Sequence, residues 1–458
     1  MSEKEKLSKW QEKEKKLSYE RKSCWEGCTD GQKKKIFSLA EKYKTFLGQA
    51  KTERKVVEFI ENFAKKNKME CFKNKEKAIA IVKTGKRPIN EGLRIIVSHI
   101  DSPHLDLKRI PLHEEANLCF LKTHYYGGIK KYHWVNVPLS LIGIIIGKDG
   151  KKINVEIGEG KDDLCFVISD LLPHLAGKQM KKNAKDVVTG EQLTAIAGNI
   201  CVNDSKIKEK IKLNVLDLLN KKYGICEKDM ISAELQLVPS TIPRDVGFDK
   251  ALIGGYGHDD KICAFASFEA LANVSKPEYT TMMLFLDKEE IGSVGNTSAG
   301  SYFFSNVVME LCKKQNITDP MEIRNVFEKS RCISSDVDVG INPVFAEVHD
   351  MQNDPIIGGG VCIGKSTGWG GKYDANDSNA EYMANIVDIY DKNNILWQSA
   401  GMGKIDEGGG GTVSKYFSRY NMEVLDVGIA ILGMHSPFEI ASKIDLYYLE
   451  KAHQAFIK

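Results

Sequence analysis

The chain opens with Lys and Glu at helical spacing over residues 1–23, which predicts an exposed, ion-paired helix. Over 31–67 the apolar positions Ile36, Leu39, Ala40, Tyr43, Phe46 and Leu47 recur with a helical period and predict packed helix. RIIVSHI at 94–100 is then read as the first buried strand, a near-continuous apolar run of the parallel-sheet type. Between about 107 and 238 the runs shorten and alternate. A hairpin is expected where LIGIIIG turns through KDG into KKINVEIGE, and ISAELQLVPS reads as a closing strand. From about 240, strands (TTMMLFLD, RCISSD, MEVLDVGIAIL) alternate with helices (SAGSYFFSNVVMELCKKQ, DSNAEYMANIVDIYDK and the last residues). The Gly-rich stretches 358–371 and 408–411 read as loops.

This rhythm implies an α/β fold, a parallel-rich mixed sheet covered by helices on both faces. The fold is built from 1–106 and 239–458, with a mostly β insert at 107–238. A length of 458 residues suits two such units.

Charge narrows the function. With 65 basic and 62 acidic side chains the formal net charge is +3, so no dominant field for nucleic acid or a membrane surface is expected. The charged N-terminus lacks the apolar core of a secretory signal, and the longest apolar stretch, 135–147, is short of the roughly 20 residues a bilayer requires. Eleven cysteines, nearly all isolated in apolar segments, fit buried thiols in a reducing, cytoplasmic compartment.

The chemistry collects at strand ends, where open α/β sheets carry their sites. His99 ends one expected strand, Asp287-Lys-Glu289-Glu290 another and Asp336 a third, and His435 follows a fourth; Asp259 and Asp260 precede a helix in GGYGHDD. Carboxylates and imidazoles from several segments are what two divalent ions need. Asp259, Glu290 and Asp336 with a shared hydroxide balance two divalent ions, and Glu289 is then free to take a proton from the water.

SHIDSP at 98–103, GHDDK at 257–261, DKEEIGS at 287–293, SSDV at 334–337 and GMHSP at 433–437 resemble, in order, the aminopeptidase I/aspartyl aminopeptidase family of two-metal peptidases. The resemblance implies a zinc-peptidase-like fold whose insert is a dimerisation domain, a homo-oligomer (a dodecameric shell), peptide substrates and two divalent ions, zinc with cobalt or manganese as alternatives. It implies His99, Asp259, Glu290, Asp336 and His435 as ligands, with Asp259 bridging, and Glu289 as general base. Asp101, two residues from His99 and expected on the same strand face, would orient that imidazole. His174, in LPHLA, matches a family histidine that reaches a neighbouring subunit's site, with a weaker possibility that it ligates metal. Lys365 matches a basic pocket residue that contacts a substrate carboxylate in acid-preferring members, while leucine-preferring members leave neutral residues open. The loop with Gly410, Gly411 and Thr412 is expected to form the other pocket wall.

Two other classes compete. Residues 359–366 satisfy G-x-x-x-x-G-K-S, so a phosphate-loop nucleotide hydrolase is conceivable, although no helix is expected directly after them. Gly364-Lys-Ser366-Thr-Gly368 also matches G-x-S-x-G without its strand-to-helix turn. A catalytically inactive assembly or cargo protein on the same fold is the third reading.

Overall fold

The structure, a computed structural model, describes residues 8–160 and 162–458. Its centre is made by four parallel strands in the order Thr281–Leu286, Arg94–His99, Arg331–Ser334 and Glu423–Leu432. Their side chains alternate between two apolar layers: Ile96, Met283, Ile333 and Leu425 face one, while Ile95, Val97, Leu284 and Cys332 face the other. Helices Asp30–Gln49, Glu53–Lys66, His258–Asn273, Ala380–Lys392 and Lys443–Ile457 cover the first layer. Phe303–Lys314 and Pro320–Lys329 cover the second. Antiparallel strands extend both edges of a mixed sheet of twelve strands among the described residues.

A second sheet of six strands, all antiparallel, is formed between His104 and Pro239. Its core surrounds the fully buried Trp134, and helix Lys210–Tyr223 packs on it. The expected hairpin is present, with Leu139–Ile146 paired to Lys152–Ile157. The strand His104–Glu115 begins four residues after the parallel strand Arg94–His99 ends, so the two sheets meet beside His99.

Three local expectations change. The charged N-terminal helix runs only Lys9–Leu17, capped by Ser8 and Gln11; residues 1–7 of the expectation lie outside the described residues. Beyond it Arg21 Nη1 donates to the Asp354 carbonyl at 2.5 Å and Tyr19 stacks on Trp397 at 5.7 Å, tertiary contacts that draw the chain out of the helix. The helix expected over 31–67 is two helices, because Thr52 caps a new one through the Lys55 N–H while Lys51 turns inward to Glu159 and the Pro239 carbonyl. The strand at 94 is preceded by a hairpin, Glu70–Asn74 with Ala78–Lys83, whose second strand joins the central sheet beside Thr281–Leu286. Its turn carries positive φ at Lys75 and Glu76 rather than at Asn or Gly, so the usual turn signal is missing.

One backbone crossing fixes the site edge of this sheet. A Cβ on Gly428 would lie 1.6 Å from the Asp336 carbonyl oxygen, so the strand carrying Gly428 passes directly under the turn that presents Asp336. Gly428→Ala must push that turn away. A stability loss of about 1–3 kcal/mol, the usual range for overpacking, is expected in chemical denaturation; a variant as stable as the parent would show that the crossing is slack.

Candidate metal centre

All four parallel strands end on one edge, and each delivers a polar side chain there. His99 is the last residue of its strand, Glu289 and Glu290 open the turn after Leu286, Asp336 follows Ser334, and His435 follows Leu432. The fifth segment enters from strand Leu252–Gly255, and Asp259 stands at the head of helix His258–Asn273. Gly257 makes that entry possible. It adopts φ +80°, and a Cβ there would lie 2.4 Å from Lys261 Nζ and 2.9 Å from Ser102 Oγ.

These residues form two triads, His99–Asp259–Asp336 and Asp259–Glu290–His435, in each of which one ligand atom per residue lies within 4.8 Å of the others. Asp259 belongs to both. Its Oδ1 is 3.0 Å from His99 Nε2, and its Oδ2 is 3.2 Å from His435 Nε2. His435 Nε2 is also 3.2 Å from Glu290 Oε2, and His99 Nε2 is 3.7 Å from Asp336 Oδ1. Both imidazoles present Nδ1 to a backbone carbonyl, His99 to Asp101 at 3.1 Å and His435 to Gly128 at 2.8 Å. A carbonyl only accepts, so Nδ1 carries the hydrogen and Nε2 is the nitrogen turned to the carboxylates.

The donor set fits metal. Three carboxylates and two imidazoles oriented through Nδ1 suit divalent zinc, and Glu290 Oε1 is buried with no hydrogen-bond partner. Buried carboxylates this close are costly unless a cation or proton lies between them. Within the protein, the buried Lys261 ammonium and protons on the cluster itself supply part of that compensation. Burial opposes a charged His435, but its hydrogen bond to the Asp259 carboxylate and the charge of Glu290 outweigh it and lift the imidazole to about 10. Burial also drives Glu290 and Asp336 well upward, and the neighbouring Asp259 adds to both. Glu289, beside the triads, is pushed up to about 7, chiefly by burial.

Asp101 corrects one expectation in its reason. The strand ends at His99, so strand alternation does not place Asp101; the chain turns back and brings its carbonyl to His99 Nδ1, with Oδ1 at 3.4 Å. The Asp101 carboxylate mainly accepts the backbone N–H groups of Glu289 (3.1 Å) and Glu290 (3.2 Å) and the hydroxyl of Tyr126 (2.9 Å). Tyr126 comes from the second sheet and carries no sequence signal of this role. Lys261 and Ser102 lay inside the sequence motifs but were not singled out. Lys261 donates to Ser102 Oγ at 2.6 Å, and Ser102 donates to the Asp259 carbonyl at 2.8 Å. Glu439 was missed entirely. His258 and His349, close to motifs in sequence, are structural: His258 bonds Tyr43 and the Ile253 carbonyl, and His349 bonds Asp354 and the Asn342 N–H.

The residues expected to wall a substrate pocket lie near Asp426. Thr412 donates to Asp426 Oδ1 at 2.7 Å, Gly364 pairs with Asp426 across the sheet, and Lys365 follows Gly364. The Gly410 carbonyl accepts the Gly368 N–H at 2.7 Å, which joins the two Gly-rich loops, and a Cβ on Gly411 would lie 3.1 Å from the Asp374 carbonyl oxygen. Lys365 Nζ meets Asp377 at 2.5 Å. His174 stands apart, exposed on the turn Pro173–Leu175, and has no hydrogen bond or ion pair with the cluster among the described residues.

The phosphate-loop reading is overturned. Residues Val361–Gly364 are a strand between Trp397–Ser399 and Glu423–Leu432, and the next helix starts at Ala380. Backbone N–H groups engaged in a sheet cannot cradle phosphate. The serine-elbow match fails on the same geometry, since no helix follows Ser366 directly.

Known proteins resemble this chain over nearly its full length. The family model described as aminopeptidase I zinc metalloprotease (M18) matches residues 38–457. A probable M18 family aminopeptidase 1 of Borrelia garinii subsp. bavariensis is 44% identical over 95% of this chain and 98% of its own. The crystal structure of an M18 aminopeptidase from Thermotoga maritima superposes with a TM-score of 0.93 at 39% identity, covering 96% of this chain and all of the other. The S. cerevisiae mApe1 dodecamer shares the fold at 19% identity, with a TM-score of 0.73 over 91% of this chain and 95% of that one.

The proton-filled cluster has a pH signature in metal-stripped protein. Folding raises His435 from 6.5 to about 10, and it raises Glu439 from 4.5 to about 8 through burial and the charge of Asp259. Both groups bind protons more tightly folded than unfolded, so their contribution is complete below the unfolded values and is lost as pH rises through the folded ones. The melting temperature of metal-stripped protein is therefore expected to fall between pH 7 and 9. Zinc-loaded protein is expected to be flatter; parallel curves would mean these groups do not titrate as described.

Proposed function

The chain belongs to the M18 family of aminopeptidase I zinc metalloproteases and is an aminopeptidase, and on that premise we propose a two-ion site with assigned roles. The observation that carries it is the pair of ligand triads sharing Asp259. His99 and Asp336 would hold one ion and Glu290 and His435 the other, with Asp259 common to both groups. Bound divalent ions supply a Lewis acid for the scissile carbonyl and lower the pKa of a water molecule.

The chain's own residues do the rest. Glu289 is the general base: it accepts the water's proton and returns it to the leaving amine. Its partly exposed carboxyl, raised by burial, suits an exchange near neutrality. Asp101 holds both members of the Glu289-Glu290 turn by their N–H groups, which keeps base and ligand in register. The substrate's first side chain lies between the Lys365 loop and the 408–412 loop. Lys365 can exchange Asp377 for the carboxylate of an acidic first residue, and a neutral residue such as leucine would leave that pair intact. His174 acts in a neighbouring subunit, where it stabilises the developing oxyanion, so a homo-oligomer is the working form. The exposed Leu171, Leu172, Leu175 and Met180 around His174 support a contact there, and the dodecameric relative supports the shell. The second sheet is then the dimerisation unit. The free state of all eleven cysteines supports the cytoplasmic placement.

Release from a panel of aminoacyl chromogenic substrates should be abolished by chelation and restored by zinc, cobalt or manganese, with the Asp/Glu-to-Leu ratio reporting on Lys365. Glu289→Ala should keep its metal and lose about 10²–10⁴-fold in kcat. Substantial turnover in a metal-replete Glu289→Ala enzyme would remove Glu289 from that role. For His174→Ala, a loss of about 10²–10³-fold in kcat with assembly unchanged by light scattering is expected; unaltered kinetics would confine the site to one subunit.

A further inference from the structure

Glu439 is a buried carboxylate that none of the roles above uses. It is only 1% exposed and stands at the start of strand Glu439–Ser442, paired across the sheet with Gly255. From there it reaches two chain segments at once. Oε2 accepts the backbone N–H of Asp259 at 3.1 Å, and Oε1 accepts the backbone N–H of His435 at 2.7 Å. No Lys, Arg or His lies within ion-pairing distance of it among the described residues. Burying an unpaired carboxylate is expensive, and two backbone N–H groups only partly offset the lost hydration.

The two segments it joins leave different strands, both of which pair with Glu439–Ser442. Asp259 arrives on the helix after strand Leu252–Gly255, and His435 arrives on the turn after Glu423–Leu432. His435 also holds φ +64°, an unfavourable backbone for a non-glycine residue, so its turn needs external support. The side-chain anchor on Gly128 fixes the ring, and the Glu439 oxygen fixes the backbone.

We propose that Glu439 is a positioning residue for the ion pair: it fixes the bridging ligand Asp259 and the ligand His435 in one frame, and thereby sets affinity for the ion on the Glu290–His435 side. This rests on the two-ion reading above. The His99–Asp336 side depends on Glu439 only through Asp259, so the two ions respond unequally. The arrangement parallels Asp101, which accepts the N–H groups of Glu289 and Glu290, so two carboxylates secure four of the site's residues by their backbone.

The test uses full-length Glu439→Gln and Glu439→Ala, zinc content by atomic emission during chelator competition, and melting temperature with and without zinc. Wild-type protein that binds fewer than two zinc ions per chain would sink the site reading itself. With two ions in the wild type, Glu439→Gln should retain one tightly and release the other at about 10–100-fold lower affinity, the usual effect of losing a ligand's supporting hydrogen bond. Excess zinc should then restore kcat with little change in KM, and the rise in melting temperature on zinc addition should shrink. A merely structural glutamate would lower both melting temperatures equally. Unchanged affinity for both ions, equal loss of both, or failure of Glu439→Gln to fold even in saturating zinc overturns the proposal. Glu439→Ala, which removes both acceptors, should lose the second ion more completely.

Discussion

Asp259 touches both imidazoles of the site, one with each carboxylate oxygen, and much of the architecture serves to keep that possible. His99 comes from the second of the four central strands and His435 from beyond the fourth, so the carboxylate must sit over the middle of the sheet edge. It is delivered by a segment that passes through Gly257 in a left-handed conformation, where any side chain would collide with Lys261 and Ser102. Ser102, itself held by Lys261, then donates to the carbonyl of the delivered residue, and Glu439 accepts its backbone N–H.

The cost of such a cluster explains the density of hydrogen bonds behind it. Buried carboxylates whose oxygens lie within 4.8 Å of one another repel strongly wherever water is excluded. Protons can neutralise these groups but do not fix their geometry. Geometry comes from the backbone: carbonyls of Asp101 and Gly128 set the tautomer and angle of each imidazole, and carboxylates of Asp101 and Glu439 set the turns that carry the ligands. One of those supports, Gly128, and the Tyr126 hydroxyl on Asp101 both come from the segment of the second sheet. That sheet therefore contributes directly to the metal edge as well as forming its own core around Trp134.

The loops proposed to take the substrate's first side chain depend on a different part of the fold. Asp426 sits inside the sheet opposite Gly364 and Ser334 and takes the hydroxyl of Thr412. The Gly-rich segment beside it is half strand, half loop. The Asp445 carboxylate pins it by accepting the N–H groups of Gly358 and Gly360 at 2.7 and 2.8 Å. A segment that looks like a phosphate loop as a string is thus an interior strand whose glycines allow close packing: a Cβ on Gly360 would lie 2.3 Å from the Leu396 carbonyl oxygen.

The sequence by itself determined the strands and helices whose burial is nearly complete, because an apolar run has only one way to avoid water. It also revealed the ligand-type residues, since His99, Asp259, Glu290, Asp336 and His435 are polar interruptions at the ends of such runs. It could not reveal what depends on distant segments meeting. The hairpin at 70–83 has no turn signal, because Lys75 and Glu76 take positive φ under tertiary constraint. The helix over 31–67 breaks where Lys51 finds partners more than a hundred residues away. Tyr126 and Glu439 act through hydrogen bonds spanning 25 and 180 residues to Asp101 and Asp259. Local pattern encodes which residues are buried and what chemistry they carry; only the tertiary structure decides which buried polar groups satisfy one another, because a hydrogen bond depends on ångström-scale placement that no periodicity records.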